Sequence, residues 1–278
     1  MEWDRIEEYS GSLIQHGPNN RRTYLMRLGE GDVSEIILYI NELCSTRGYT
    51  KSFAKVPASK SPCFLADGWN IEAFVPGYFH ARHDALFLSK YYDPERRQMA
   101  PDAFSGLCRQ FQEINADQPS PLPECLHFRK CAAEDVEGIV GLYRTVFERY
   151  PFPIHDSGYI HRTMDEDVVY FGIWEGQNLV ALSSAEMDTE ELNVEMTDFA
   201  VLPDYRGLGL GLYLLNKMDM AMKEAGMITA YTIARLRSKG MNATFLKAGY
   251  TYSGTLFKNT YISDGVESMN VYYKQLQE

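Results

Sequence analysis

Residues Val201–Leu215, VLPDYRGLGLGLYLL, decide how this chain is read. A strand ending in Ala200, Val201 and Leu202 runs through Pro203 into a turn holding Gly207, Gly209 and Gly211, and the turn opens an apolar helix. Glycines let the backbone approach a ligand closely, and the free N–H groups of the first helical turn face it with the positive end of the dipole. Such a turn suits an anion, and a diphosphate fits it. The dinucleotide pattern GxGxxG would need glycine at 212 or 214, where Leu212 and Leu214 stand. The P-loop ending Gly-Lys-Ser/Thr is missing as well. The spacing that fits is R/Q-x-x-G-x-G/A, supplied by Arg206, Gly209 and Gly211. An ordinary tight turn is the simpler alternative.

Around this stretch, 278 residues allow one large or two modest domains, and a 45% hydrophobic content provides for a sizeable core. No run approaches the roughly 18 apolar residues of a membrane span. The first residues, MEWDRIEE, are acidic and unlike a signal peptide, so a cytoplasmic location away from membranes is expected. Cysteines at 44, 63, 108, 125 and 131 are odd in number without a CxxC pair. They are expected as reduced core residues rather than as a disulfide or zinc framework. His80 and His83 lack evident partner ligands, so no metal is expected. A net charge of −11 disfavours nucleic acid and favours a small cationic partner, though acidity also serves plain solubility.

The segment NADQPSPLPE, Asn115–Glu124, is the best linker candidate. It separates residues 1–122, an α+β domain without a catalytic motif, from residues 123–278. In the first part, strands are expected at Thr23–Leu28, Ser52–Pro57 and Asp84–Ser89, with an amphipathic segment at Trp69–Phe74. A helix capped by Asp32 should bury Ile36, Ile37, Ile40 and Leu43. In the second part a strand at Leu126–Arg129 precedes a helix burying Val136, Ile139, Val140, Tyr143 and Phe147. A hairpin around Glu175–Asn178, a strand Val194–Leu202 and the glycine turn follow. The helix after the turn should carry Leu208, Leu212, Leu215, Met218 and Met222 on one stripe, which reads as core. A strand Thr229–Ala234, a short helix Gly240–Ala248 and strands Thr251–Phe257 and Met269–Tyr273 complete the pattern.

The turn and the order β-α-β-β-β-α-β-α-β-β over residues 125–278 resemble the GNAT acetyltransferase superfamily. That resemblance implies an α/β (α+β) fold with a mixed, mostly antiparallel central sheet flanked by helices, and acetyl-CoA as co-substrate. Ala200, Val201, Leu202, Arg206, Gly207, Leu208, Gly209, Leu210, Gly211 and Leu212 would then hold the cofactor, with Ser238 and Asn242 near its arm. More narrowly, IQHGPNNR (14–21), EAFVPGYF (72–79), DALFLSKY (84–91) and GMNATF (240–245) resemble the β-lysine N-acetyltransferase family. That family implies acetylation of the side-chain amine of β-lysine, made by a lysine 2,3-aminomutase, to give Nε-acetyl-β-lysine, a compatible solute.

An alkyl ammonium has a pKa of about 10.4, so transfer to it needs a base. The strand Val194–Asp198 offers Glu195 and Asp198, which alternation puts on opposite faces unless a bulge intervenes. Glu195 is the favoured base, and either acid could instead be a solvated strand residue. If this strand splays from its neighbour, its edge would hold the pantetheine arm and an N–H near Val201 the oxyanion. The tyrosine that relatives place near the end of the last helix, to protonate the leaving thiolate, is here Phe245. Tyr250, Tyr252 or Tyr261 could serve in its place, and Asn242 could merely cap a helix. Arg235 or Arg237 could clamp a substrate carboxylate, and the acids of 165–167 and 188–191 could supply negative potential.

These features favour an N-acetyltransferase acting on β-lysine. Lysine or a polyamine as acceptor, or a non-catalytic acyl-CoA sensor, are the alternatives. The N-terminal domain could cover the acceptor pocket, mediate a homodimer or be a degenerate copy of the same fold.

Overall fold

The computed structural model describes residues 4–98, 106, 114, 116–262 and 265–277; Asn115 of the expected linker and Cys108 lie outside them. Strands β1 (Arg5–Tyr9), β2 (Ser12–Gly17), β3 (Arg22–Arg27), β4 (Lys51–Pro57), β5 (Asn70–Phe79) and β6 (His83–Tyr91) form a sheet of order β1-β2-β3-β4-β6-β5. Helix α1 (Val33–Arg47) joins β3 to the parallel β4, and the short α2 (Ser61–Ala66) precedes β5. The Trp69–Phe74 segment is therefore mostly strand. A second sheet has the order β12-β13-β11-β10-β9-β8-β7. Its strands are β7 (Leu126–Lys130), β8 (Val168–Glu175), β9 (Asn178–Asp188), β10 (Asn193–Val201), β11 (Thr229–Arg235), β12 (Thr251–Ile262) and β13 (Gly265–Gln275). Helices α3 (Val136–Val146) and α4 (Ser157–Asp165) lie between β7 and β8, α5 (Leu210–Glu224) joins β10 to the parallel β11, and α6 (Lys239–Lys247) precedes β12.

Without β7, α3 and α4, the second sheet repeats the first strand for strand. In each, three antiparallel strands lead through a long helix into a parallel strand, then through a short helix into a hairpin whose second strand returns beside it. The two halves differ at the start of the long helix. The carboxylate of Asp32 caps α1 by accepting from the Ser34 N–H. Gly209 caps α5 in a left-handed conformation with no side-chain hydrogen bond, which leaves the helix N–H groups free.

Apolar periodicity explains the packing. Ile36, Ile37 and Ile40 of α1 are buried in the N-terminal core, and Leu212, Leu215, Met218 and Met222 of α5 in the C-terminal one. Leu208, expected on that stripe, precedes the helix and is exposed. Cys44 and Cys131 are buried as expected, whereas Cys63 and Cys125 are exposed.

The halves meet through Tyr24, Phe53, Tyr78 and Phe87 on one side and Tyr231, Leu256, Met269 and Val271 on the other. Strand β12 approaches β5 so closely that a Cβ on Gly254 would stand 2.0 Å from the Glu72 carbonyl oxygen. Beside it Lys51 Nζ, wholly buried, donates to Glu72 Oε2 at 2.9 Å and to the Phe257 carbonyl at 2.8 Å. Among the described residues no helix is long and apolar enough to cross a membrane.

Candidate active site

Parallel strands β10 and β11 pair only over Asn193–Glu195 and Thr229–Tyr231, although both run on. Beyond that point they separate and open a cleft of about 700 Å³. Thr197, Phe199 and Val201 line one side and Thr232 and Ala234 the other. At its end lie Arg206, Gly207, Gly209, Leu210, Gly211 and Leu212, with Ser238 opposite. Gly207 and Gly209 have φ of 85° and 75°, and an added Cβ on either would enter empty space. The turn is thus a bare backbone cradle at the open end of a helix, which fits the diphosphate of acetyl-CoA.

Of the other residues expected near the cofactor, Ala200 is buried in the core, Leu202 packs beside it, and Leu208 is exposed outside the cleft lining. Asn242 is fully buried and spends its groups on structure. Its amide donates to the carbonyls of Arg235, Leu236 and Ser238, and its oxygen accepts from Asn270 and Tyr272. It ties α6 to β11 and β13 rather than reaching the cleft or capping the helix. Tyr250 is likewise buried, with its hydroxyl donating to Asp219 at 2.7 Å, so the structure does not bring it to the site. Phe245 does line the cleft, its ring edge-on to Phe199. Arg235 lines the cleft, where two hydrogen bonds hold it to Glu267.

A second cavity, of about 250 Å³, lies at the seam between the two sheets. It meets the cleft at Tyr150, Thr197, Asp198, Ile233, Ile262 and Met269, which line both. Alternation was expected to send Glu195 and Asp198 to opposite faces. Instead, Asp198 and Phe199 together oppose Ser183, between the pairs Thr197–Ser184 and Ala200–Leu182. Asp198 takes φ +56°, a bulge conformation that an aspartate tolerates, and it turns its carboxylate into the cavity that Glu195 also lines.

Glu186 and Asp188 of β9 join them, so four carboxylates line the cavity. Glu186 is itself exposed, yet the surrounding protein, then the charges of Glu195 and Asp198, push its pKa well above the carboxylate range. Burial also raises Glu195, against the opposing effects of Lys55 and the Tyr231 hydroxyl. Asp198 is raised by burial too, while hydrogen bonds from Tyr150, Ser184 and Thr197 work the other way. The Ser184 bond measures 2.7 Å. Facing these acids from the N-terminal half are Arg22 and Lys55, with Tyr24 and Tyr78. Lys55 Nζ donates to the Tyr231 hydroxyl at 3.0 Å. Glu186, Tyr150, Arg22 and Lys55 were not singled out in the sequence; they are lone residues in ordinary strands or in a proline-flanked loop. Among the described residues no cluster of ligating side chains could hold a metal, and His80 contacts Glu191 at 3.3 Å.

Residues 137–250 match the profile of the acetyltransferase (GNAT) family. Over 273 residues the chain is 39% identical to the β-lysine N(6)-acetyltransferase of Methanococcus maripaludis, covering 98% of each protein. It is 28% identical over 268 residues to N-acetyltransferase YodP of Bacillus subtilis, covering 95% of this chain and 96% of that one. A β-lysine N(6)-acetyltransferase of Methanosarcina mazei is 35% identical over 159 residues, 57% of this chain and 59% of its own.

Proposed function

The chain belongs to the acetyltransferase (GNAT) family, and from that premise we propose that it transfers an acetyl group to the ε-amine of β-lysine, giving Nε-acetyl-β-lysine in the cytoplasm. One observation carries the proposal: a carboxylate-lined cavity meets the glycine cleft at Asp198. A diamino acid is a cation-bearing acceptor suited to such a cavity. An aminomutase acting on lysine would supply it.

Acetyl-CoA supplies the acetyl group as a thioester. The backbone of Arg206–Gly211 would hold its diphosphate, and the parted edges of β10 and β11 its extended arm. Glu186 and Glu195 draw the ammonium ends of the acceptor into the cavity, and Asp198, which lines both spaces, takes the proton from the reacting one. Its raised pKa narrows the gap to the amine, which favours that transfer. Tyr150 donates its hydroxyl hydrogen to Asp198 in the resting site. Once Asp198 is protonated the bond reverses: as the nitrogen–carbon bond forms and the carbon–sulfur bond breaks, Tyr150 passes its proton to the leaving thiolate and regains one from Asp198, which then takes the second proton from the acetylated nitrogen and releases it to solvent. Tyr150 thus takes the role sought at Tyr250, and Asp198 that first given to Glu195.

We read residues 4–98 as a second copy of the acetyltransferase core that has lost its acyl-donor site. The repeated topology supports this, as does Asp32, whose negative charge occupies the helix end where a diphosphate would bind.

The test is release of free CoA with β-lysine, α-lysine and spermidine as separate acceptors, with mass spectrometry of the product. Preference for β-lysine with ε-acetylation is expected. Preferred spermidine turnover would overturn the acceptor, and acetyl-CoA binding without turnover of any amine would overturn the enzyme reading.

A further inference from the structure

Arg22 of β3 is 4% exposed and lines the seam cavity, yet it forms no ion pair among the described residues. One terminal nitrogen donates to the Asn259 carbonyl at 2.6 Å and to Thr260 Oγ1 at 3.2 Å. Its Nε has no hydrogen-bond partner. The Asn259 side-chain oxygen, on the same stretch of β12, is buried and also without a partner. A buried donor lacking an acceptor and a buried acceptor lacking a donor thus belong to two residues that line the same cavity, and each carries a desolvation cost that a ligand would relieve. Lys55 adds positive potential on the same wall, while Glu186, Glu195 and Asp198 supply the opposite sign across the cavity.

We infer that Arg22 and Asn259 form a subsite for the head group of an amino acid, Arg22 taking the carboxylate and Asn259 the neighbouring ammonium. The inference rests on the acceptor being an amine that also carries a carboxylate. It makes the N-terminal domain, which provides Arg22, the part of the enzyme that distinguishes an amino acid from a polyamine. The substrate lies across the seam with its carboxylate at the cationic wall and its distal amine at Asp198. Arg235, expected from the sequence together with Arg237 as a carboxylate clamp, is paired with Glu267 and lines the glycine cleft, not this cavity.

The test compares β-lysine with 1,4-diaminopentane, the same molecule without its carboxylate, in wild type and in Arg22→Met and Arg22→Lys. Wild type should favour β-lysine in kcat/KM by about 100-fold, as expected for a charge-assisted bond to a buried guanidinium. Arg22→Met should bring that ratio to within a few-fold of one, chiefly through KM for β-lysine, and Arg22→Lys should restore part of it. Calorimetric titration of β-lysine should show the same loss without turnover. If Arg22→Met lowers both amines equally, Arg22 only links the domains and the inference falls. It also falls if wild type treats the two amines alike, a comparison that needs no variant to fold. Should wild type ignore β-lysine but acetylate another amino acid, the acceptor proposed above is wrong, and that amino acid against its decarboxylated form tests the subsite in the same way.

Discussion

Asp198 holds a backbone conformation that costs an L-residue about 1–2 kcal/mol, and what the bulge gains is the position of its carboxylate between the two spaces. Asp198→Asn keeps the shape and removes the base; kcat should drop by about 100- to 1,000-fold while calorimetry shows unchanged acetyl-CoA affinity. A kcat within about threefold of wild type would reject the role. The neighbouring acids leave a signature in stability as well. Glu186, Glu195 and Asp198 all have folded pKa values above their ordinary ones, so the folded protein binds more protons than the unfolded chain in the interval between the two. Their contribution is therefore full below the ordinary carboxylate range, near pH 4, and is lost as pH rises through the folded values. The melting temperature of the free protein should rise as pH falls through the raised folded values toward the ordinary carboxylate range, and Glu195→Gln should flatten that rise. An equal slope in the variant would show that Glu195 is solvated like a surface acid.

At the scale of elements, the glycine turn and α5 belong to one device, a helix whose first N–H groups no side chain caps. Gly209→Glu should cost about 1–2 kcal/mol in stability, since φ is 75° and no atom lies near the added Cβ. It should weaken acetyl-CoA binding by at least about 100-fold by placing a carboxylate in an anion site. Normal binding by titration would remove the turn from the cofactor site. This device was legible in the sequence because each part is local: the strand, the glycines and the apolar stripe stand within a few residues of one another. The bulge at Asp198 was not, because nothing in NVEMTDFAV marks the residue that breaks alternation. Nor was the cavity wall, since Arg22 and Lys55 reach Glu195 from more than a hundred residues away in the chain. Asn242 and Tyr250 misled for a related reason: their polar groups are satisfied by β13 and α5, contacts that no local pattern announces.

The whole molecule depends on the seam between two sheets that share a six-strand topology. Lys51 and Glu72 form an ion pair there with side chains 0% and 3% exposed. Burial lowers the lysine pKa to about 8, against the raising effect of Glu72. Lys51→Met would leave Glu72 buried without its counter-charge, so unfolding in urea should show a loss of about 3–5 kcal/mol. A loss below about 1 kcal/mol would mean that water enters the seam. The Asp32 cap has a wider consequence. With its own helix end closed by Asp32, the first half is left to shape the acceptor side of the seam, where Arg22 and Lys55 face the acids of the second. On the proposed reading the chain separates inheritance from choice: one half keeps the reaction, and the other sets what the reaction is performed upon.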